Sequence, residues 1–306
     1  MKKWIYKNIS PFIISTSTQN MSSAQHTSSL NIKGGVIDLK TGVFRPRTPQ
    51  DDSSYELNIN WLGLDIDTTI IDQYISEIML GDPQMIDFMH IMLGCFITDS
   101  TCIGNRFFIF HGDASSGKTV LMTLMAAVLE NLYYRAPSSL IVRPARPPRA
   151  DAPNIDLMNL EHKRLCSVDE IGPDEHLLEG RIKFLTKDSP IVGRKPYHHP
   201  HSFTPTHKLV LITNRIPEMD MDYALEYRLT IIPFLAKFVE CPVGSSPNER
   251  LRDPHKRPTL IAQKDVFFIW LVRGAMKFFQ SGFPPMPALM AEYKKAYCAA
   301  NGYILN

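Results

Sequence analysis

Arg106-Phe107-Phe108-Ile109-Phe110-His111-Gly112-Asp113-Ala114-Ser115-Ser116-Gly117-Lys118-Thr119 is the stretch on which the fold turns. Phe107 to Phe110 is a short apolar run fit for a buried strand. Gly112 to Thr119 fits the phosphate-loop pattern: glycine, four residues of any kind, then Gly-Lys-Thr. Leu121, Leu124, Met125 and Val128 follow at i, i+3, i+4 and i+7, which predicts a helix with one buried face. The motif therefore lies between a strand and a helix, the context it needs. Gly112 and Gly117 let backbone N–H groups curl around an anion with no side chain in the way. A helix starting near Lys118 adds its positive dipole end at the same point. The stretch reads as a nucleoside triphosphate site rather than a glycine-rich turn. Its expected nucleotide contacts are Gly112, Asp113, Ala114, Ser115, Ser116, Gly117, Lys118 and Thr119. Lys118 is expected to bridge the β- and γ-phosphates of the triphosphate, and Thr119 to offer its hydroxyl to Mg²⁺.

Downstream, Lys163-Arg164-Leu165-Cys166-Ser167-Val168-Asp169-Glu170 is an apolar run that switches abruptly to two acids. In phosphate-loop enzymes a second strand delivers an Asp to the Mg²⁺ shell, here Asp169, and the adjacent Glu170 can polarise the attacking water. Lys208-Leu209-Val210-Leu211-Ile212-Thr213-Asn214 is the clearest buried strand in the chain. Ligands of doubly wound sheets gather at the carboxyl ends of strands, so Asn214 is expected at the γ-phosphate or the hydrolytic water. Leu229 to Ile232, preceded by Arg228, is a last strand. Between the second and third strands, Gly193-Arg194-Lys195-Pro196-Tyr197-His198-His199-Pro200-His201 concentrates cations, a ring and three histidines in a turn. Zinc ligation is disfavoured, because the adjacent His198-His199 pair lacks ligand spacing and no cysteine is near. A hairpin touching nucleic-acid phosphates, with Tyr197 available to stack on a base, fits better than a solvated turn.

At 306 residues the chain can bury a full-sized core. A net charge of +2 is too small for a global field, so any nucleic-acid contact must be a local patch. Five cysteines with no Cys-x-x-Cys pair point to free thiols in a reducing compartment. Lys7 and Asn8 interrupt any signal-peptide core, and Val266 to Val272 falls well short of the roughly 20 residues that span a bilayer. A soluble, intracellular protein is expected. Ser15 to Leu30 is polar and reads as a disordered lead-in. Val36 to Phe44 reads as two strands with a turn at Lys40 to Gly42. Ile71, Tyr74, Ile75 and Ile78 share one helical face, and Ile86, Met89, His90 and Leu93 another, with Gly81-Asp82-Pro83 between. His90 is read as a core residue. Pro137 to Pro153, carrying Arg143, Arg146 and Arg149, reads as a solvated connector in preference to a subunit or DNA contact. Glu240 to Thr259 reads as a polar loop before a helix bearing Phe267, Trp270, Leu271, Ala275 and Phe278, which Gly282 closes. A final helix carries Tyr293, Ala296 and Tyr297.

Taken as an ordered series, these stations resemble the superfamily 3 helicases, and most closely the helicase part of the primase-helicases of large DNA viruses, phages and plasmids. The likeness runs from about Ile32 to Ile304. Gly34 to Gly42 looks like the opening of the region before the helicase. Gly112 to Thr119 matches motif A, and Val168-Asp169-Glu170 motif B. Phe184 to Ile191 with Arg194 to Tyr197 is similar to the motif between B and C, and Lys208 to Asn214 with Arg215-Ile216-Pro217 matches motif C. The resemblance implies an α/β fold: an AAA+-like P-loop NTPase core, a parallel sheet flanked by helices, with a small helical N-terminal part and a helical C-terminal part. It implies a homo-hexameric ring with ATP between subunits and a hairpin gripping single-stranded DNA. Lys118, Thr119, Asp169, Glu170 and Asn214 then belong to the nucleotide, and Arg194, Lys195 and His198 to the DNA. Arg228 takes the place of the arginine that reaches the neighbour's γ-phosphate. The family often has two adjacent arginines where this chain has Tyr227-Arg228, so Arg215 is the alternative.

The implied division is 1–30 lead-in, 31–100 mostly helical region, 101–240 ATPase core and 241–306 helical region. Nothing in the chain resembles the primase domain that relatives commonly carry, so a separate primase or polymerase is an expected partner. The expected function is an ATP-dependent DNA helicase of viral or mobile-element replication, working in the host cytoplasm or nucleus if viral. A phosphoryl transferase using the same loop, and a non-catalytic remnant of a truncated primase-helicase, are the alternatives.

Overall fold

The computed structural model describes residues 28–303 apart from 52–53, 101–104, 144–153, 173–174, 216 and 245. The described chain opens with an antiparallel sheet of β1 (Ser29–Ile32), β2 (Gly35–Asp38) and β3 (Phe44–Arg45). Asp38 pins the turn before β3 by accepting from the N–H groups of Lys40 and Thr41, as the turn residues predict. The lead-in expected through residue 30 ends earlier than its composition suggests. Ser29 and Leu30 pair with Asp38 and Ile37, and Leu30 is fully buried. Residues 15–27 lie outside the described residues.

Two helices follow. α1 (Thr69–Ile78) buries Ile71, Tyr74, Ile75 and Ile78, the expected face. α2 (Pro83–Phe96) is capped by Asp82, whose carboxylate accepts from the N–H groups of Gln84 and Met85, with Pro83 in the first turn. Its buried residues are not a stripe. Met85, Phe88, Met89, Ile91, Met92, Leu93, Cys95 and Phe96 are all buried, whereas Ile86 and His90 are only partly so. A second helix covers the side expected to face water.

The main sheet is then laid down with its crossovers: β4 (Phe107–His111), α3 (Lys118–Leu129), β5 (Tyr133–Ala136), α4 (Ile155–Met158) and β6 (Leu165–Asp169). After α5 (Glu179–Leu185) comes a hairpin of β7 (Ile191–Gly193) and β8 (His201–Phe203). β9 (Lys208–Thr213), α6 (Tyr223–Arg228) and β10 (Leu229–Pro233) complete it. The five strands are parallel in the order β10-β4-β9-β6-β5. Numbered by appearance within this sheet they run 5-1-4-3-2, the AAA+-like parallel sheet flanked by helices. β5 was not anticipated, because Tyr133-Tyr134-Arg135-Ala136 is a half-exposed edge with no apolar run. Lys208 opens β9 as a buried cation, donating to the carbonyls of Thr98 and Thr206.

The rest is β11 (Lys237–Val239), β12 (Glu249–Leu251), α7 (Lys256–Ala262), α8 (Lys264–Ser281) and α9 (Ala288–Ala300). The loop expected over residues 240–259 is therefore shorter: β12 pairs in parallel with β11, and α7 already begins at Lys256. No helix among the described residues is long and apolar enough to cross a membrane.

Strand alternation divides the core. Phe108, Phe110, Val210 and Ile212 face α2, α3 and α8, while Phe107, Ile109, Leu209 and Leu211 face α5, α6 and α9. Each fully buried Phe contributes about 1.5–3 kcal/mol relative to exposure. α2 and α8 touch backbone to backbone: a Cβ on Gly94 would sit 2.2 Å from Ala275 N, and one on Gly274 2.2 Å from His90 O. His90 is a core residue there, its Nε2 bonded to Trp270 O at 2.9 Å and its ring stacked on the indole.

Candidate functional site

An open cleft of about 450 Å³ lies at the carboxyl ends of β4, β6 and β9. It is lined by residues 114–120 of the glycine-rich loop and by Arg135, Asp169, Glu170, Ile212 and Asn214. Three stretches far apart in sequence meet here because β9 lies between β4 and β6, bringing their ends side by side.

The loop is held from behind. A Cβ on Gly112 would lie 2.2 Å from Phe234 O, so only glycine lets the chain pass the end of β10. Gly117 has φ +95°, and a Cβ there would lie 2.5 Å from Ile78 Cγ2 on α1. The Tyr74 hydroxyl donates to Gly117 O at 3.0 Å, and Phe238 N–H on β11 donates to Ser115 O at 2.9 Å. Ser115 takes φ +60°, a left-handed conformation inside the loop. Lys118 is buried, its Nζ donating to Gly112 O at 2.6 Å, Asp113 O at 2.8 Å and Ser116 Oγ at 2.9 Å. Burial lowers its pKa to about 8, against the opposing pull of Asp113 and Glu170.

On the other wall, Asp169 ends β6. Its Oδ1 faces Ser167 Oγ at 3.5 Å, its Oδ2 pairs with Arg135, and Tyr133 hydrogen-bonds Ser167 at 2.5 Å. Glu170 donates its N–H to Ile212 O at 2.9 Å, continuing the β6–β9 pairing, and its φ of +48° lies in the left-handed region where the strand ends. Asn214 Nδ2 lies 3.5 Å from Glu170 Oε1. The oxygen donors fit a hard cation: Mg²⁺ takes one or two protein ligands and fills its shell with water and phosphate, which the Asp169 carboxylate and the exposed Thr119 hydroxyl in one cleft allow. Lys118 and the loop N–H groups fit a polyphosphate.

The remaining residues expected to act lie elsewhere. Arg228 ends α6 at the start of β10, level with Phe107, whereas the loop begins beyond His111 at the other end of β4. A five-residue strand separates them by about 16 Å. Arg228 Nη1 donates to Ala224 O at 2.7 Å, and its Nε is buried without a partner. Arg215 is exposed beside Asn214. Arg194, Lys195 and His198 sit in the β7–β8 hairpin with the exposed Tyr197, outside the cleft. The hairpin base packs on α4, where a Cβ on Gly193 would lie 2.4 Å from Met158 Sδ, and Arg194 O accepts from Asn154 N–H. His198 bonds Pro196 O, while His201 faces Glu161, so the histidines do not converge; no metal-sized cluster occurs among the described residues. Arg143 lies 3.4 Å from Asp220, and Arg146 and Arg149 fall outside the described residues.

Sequence reasoning missed Arg135, Tyr74 and Phe238 as neighbours of the site. Tyr74 was legible only as a buried face residue, and no motif marks Arg135 or Phe238.

Residues 110–228 match a family described as a family of unknown function, DUF5906. A protein of Acanthamoeba polyphaga mimivirus that is named as a putative helicase is 27% identical over 220 residues, covering 69% of this chain and 22% of that protein. The chain thus spans about a fifth of the length of the curated relative it matches. Among solved structures, the apo A form of the NrS-1 C-terminal region superposes with a TM-score of 0.55 at 14% identity, over 85% of this chain and 57% of that one. A second apo structure of that region, residues 305–718, gives 0.54 at the same identity and coverage. The chain's likeness to the superfamily 3 helicases of viral primase-helicases, read from its ordered motifs, is thus met by a helicase-named viral relative in sequence and by the NrS-1 region in fold.

Proposed function

We propose that the chain is the ATPase core of a superfamily 3 DNA helicase serving replication of a viral or other mobile genome. The observation that carries this reading is the meeting of Lys118, Asp169, Glu170 and Asn214 in one cleft at three adjacent strand ends. Lys118 exchanges its loop carbonyls for the β- and γ-phosphates of ATP, and residues 112–119 wrap the same group with backbone N–H donors. Thr119 and Asp169 hold Mg²⁺, which supplies charge neutralisation on the phosphate oxygens when bound. Glu170 accepts a proton from the attacking water, and Asn214 orients that water or the γ-phosphate. Arg228, remote from its own cleft, serves the γ-phosphate of a neighbouring subunit in a homo-hexamer. Arg194, Lys195 and His198 contact single-stranded DNA phosphates, and hydrolysis moves their hairpin along the strand. A separate primase or polymerase completes the replication machinery.

The test is ATP turnover with and without single-stranded DNA, alongside the mass of the species assembled with ATP and Mg²⁺. Turnover raised by DNA, in a particle of ring-like mass, is expected. Stimulation by nucleosides in place of DNA would move the chain to the phosphoryl transferases. A strict monomer without turnover would make it a non-catalytic remnant.

A further inference from the structure

Asp169 has one carboxylate and, on the reading above, two cations that need it. In the β5–β6 pair, alternation puts Tyr133 and Arg135 on the same face as Ser167 and Asp169, in register along the two strands. Tyr133 reaches Ser167 at 2.5 Å, and Ser167 Oγ lies 3.5 Å from Asp169 Oδ1. Arg135 takes the other oxygen, Oδ2. The Arg135 side chain is 68% exposed and hangs over the cleft from the sheet edge, whereas that of Asp169 is 25% exposed. A guanidinium on one carboxylate oxygen leaves the group's charge compensated and one of its lone-pair directions filled. A magnesium ion arriving with a nucleotide meets a carboxylate whose charge is already compensated on one oxygen, so it competes with the guanidinium for the same group.

We propose that Arg135 is a positioning residue that competes with Mg²⁺ for Asp169 and thereby sets the magnesium requirement of the nucleotide site. The inference rests on the assignment of the cleft to Mg²⁺-nucleotide. Its physical basis is unequal footing: an ion pair whose guanidinium is largely exposed is held weakly, so Mg²⁺ with its phosphates wins, at a higher concentration than an unpaired aspartate would need. Displaced from Asp169, Arg135 stays at the cleft wall as a cation available to the phosphates.

The experiment is a Mg²⁺ titration of fluorescent ATP-analogue binding to the full chain, for wild type, Arg135→Gln, Arg135→Ala and Arg135→Lys. The Mg²⁺ concentration at half-maximal binding is expected to fall severalfold in Arg135→Gln and Arg135→Ala and to stay near wild type in Arg135→Lys. Binding without Mg²⁺ is expected to weaken in the two neutral variants, since a phosphate-facing cation is gone. Far-ultraviolet circular dichroism confirms folding, which substitution at this exposed position is expected to spare. An unchanged or raised Mg²⁺ midpoint in the neutral variants, with Mg²⁺-dependent binding intact in wild type, overturns the role of Arg135 alone. No nucleotide binding by the folded wild type overturns both that role and the assignment beneath it.

Discussion

Lys118 carries its charge where water is scarce. Burial pulls its pKa to about 8, well below the ordinary lysine range. Between pH 8 and that range the unfolded chain binds the extra proton, so this group's contribution to stability rises with pH over that window and is a cost below it. A phosphate ligand has the opposite preference, because it needs the ammonium. ATP affinity is therefore expected to hold steady below pH 8 and to fall above it, approaching tenfold per pH unit, with proton uptake on binding. Titration calorimetry in two buffers reads both quantities. Lys118→Ala is expected to remove the pH slope and cut hydrolysis by about a hundredfold or more; a variant that keeps the slope would remove Lys118 from the phosphates. Gly117 makes a separate point. Its φ of +95° and the Ile78 methyl at 2.5 Å from any Cβ mean that Gly117→Ala should lose about 1–3 kcal/mol, read as a lowered thermal midpoint. Unchanged stability there would show the loop is not packed on α1.

At the level of elements, the backbone contact between α2 and α8 unites the regions before and after the sheet. Gly94 and Gly274 face the opposite helix with no room for a methyl group. Gly274→Ala must push the helices apart and lift Phe267, Phe268 and Trp270 off their partners, at a cost of about 2 kcal/mol or more. Urea denaturation measures it, and an unmoved midpoint would mean the helices slide past each other freely. The same contact couples this layer to the site. Trp270 Nε1 donates to Asp72 at 2.8 Å, and α1 carries the Tyr74 hydroxyl that bonds Gly117 O. None of this was legible in advance. α2 shows one helical stripe in sequence because periodicity cannot say that a second helix covers its other side. β5 was missed because an edge strand needs no apolar run, and Arg135 with it.

For the whole molecule, the cleft and the cationic hairpin are separate surfaces, and Arg228 lies at the opposite end of the sheet from the glycine-rich loop. Separation makes two predictions. Arg194→Ala with Lys195→Ala should spare basal ATP hydrolysis and abolish stimulation by single-stranded DNA; retained stimulation would place the DNA contact elsewhere. Arg228→Ala should bind nucleotide with unchanged affinity but turn it over slowly, since no protomer can reach its own cleft with that side chain. Mixing Lys118→Ala with Arg228→Ala should then restore part of the activity, because some interfaces pair an intact cleft with an intact arginine. Two inactive variants that stay inactive when mixed would end the role of Arg228, leaving Arg215 as the nearer substitute.

The glycine-rich loop, the acidic switch at Asp169-Glu170 and the buried run ending at Asn214 could be read from the chain alone. Each is a local requirement: backbone freedom, an exposed charge after an apolar strand, a polar tip on a core strand. Their ordered series also carried the family resemblance that implied the parallel sheet. Only the tertiary structure decided which strands are neighbours, and so that these three ends open on one cleft while Arg228 and the hairpin do not. It also decided that Arg135 faces Asp169 and that Tyr74 props the loop. Such contacts join residues tens of positions apart through packing and register, and no spacing rule within a single segment encodes them.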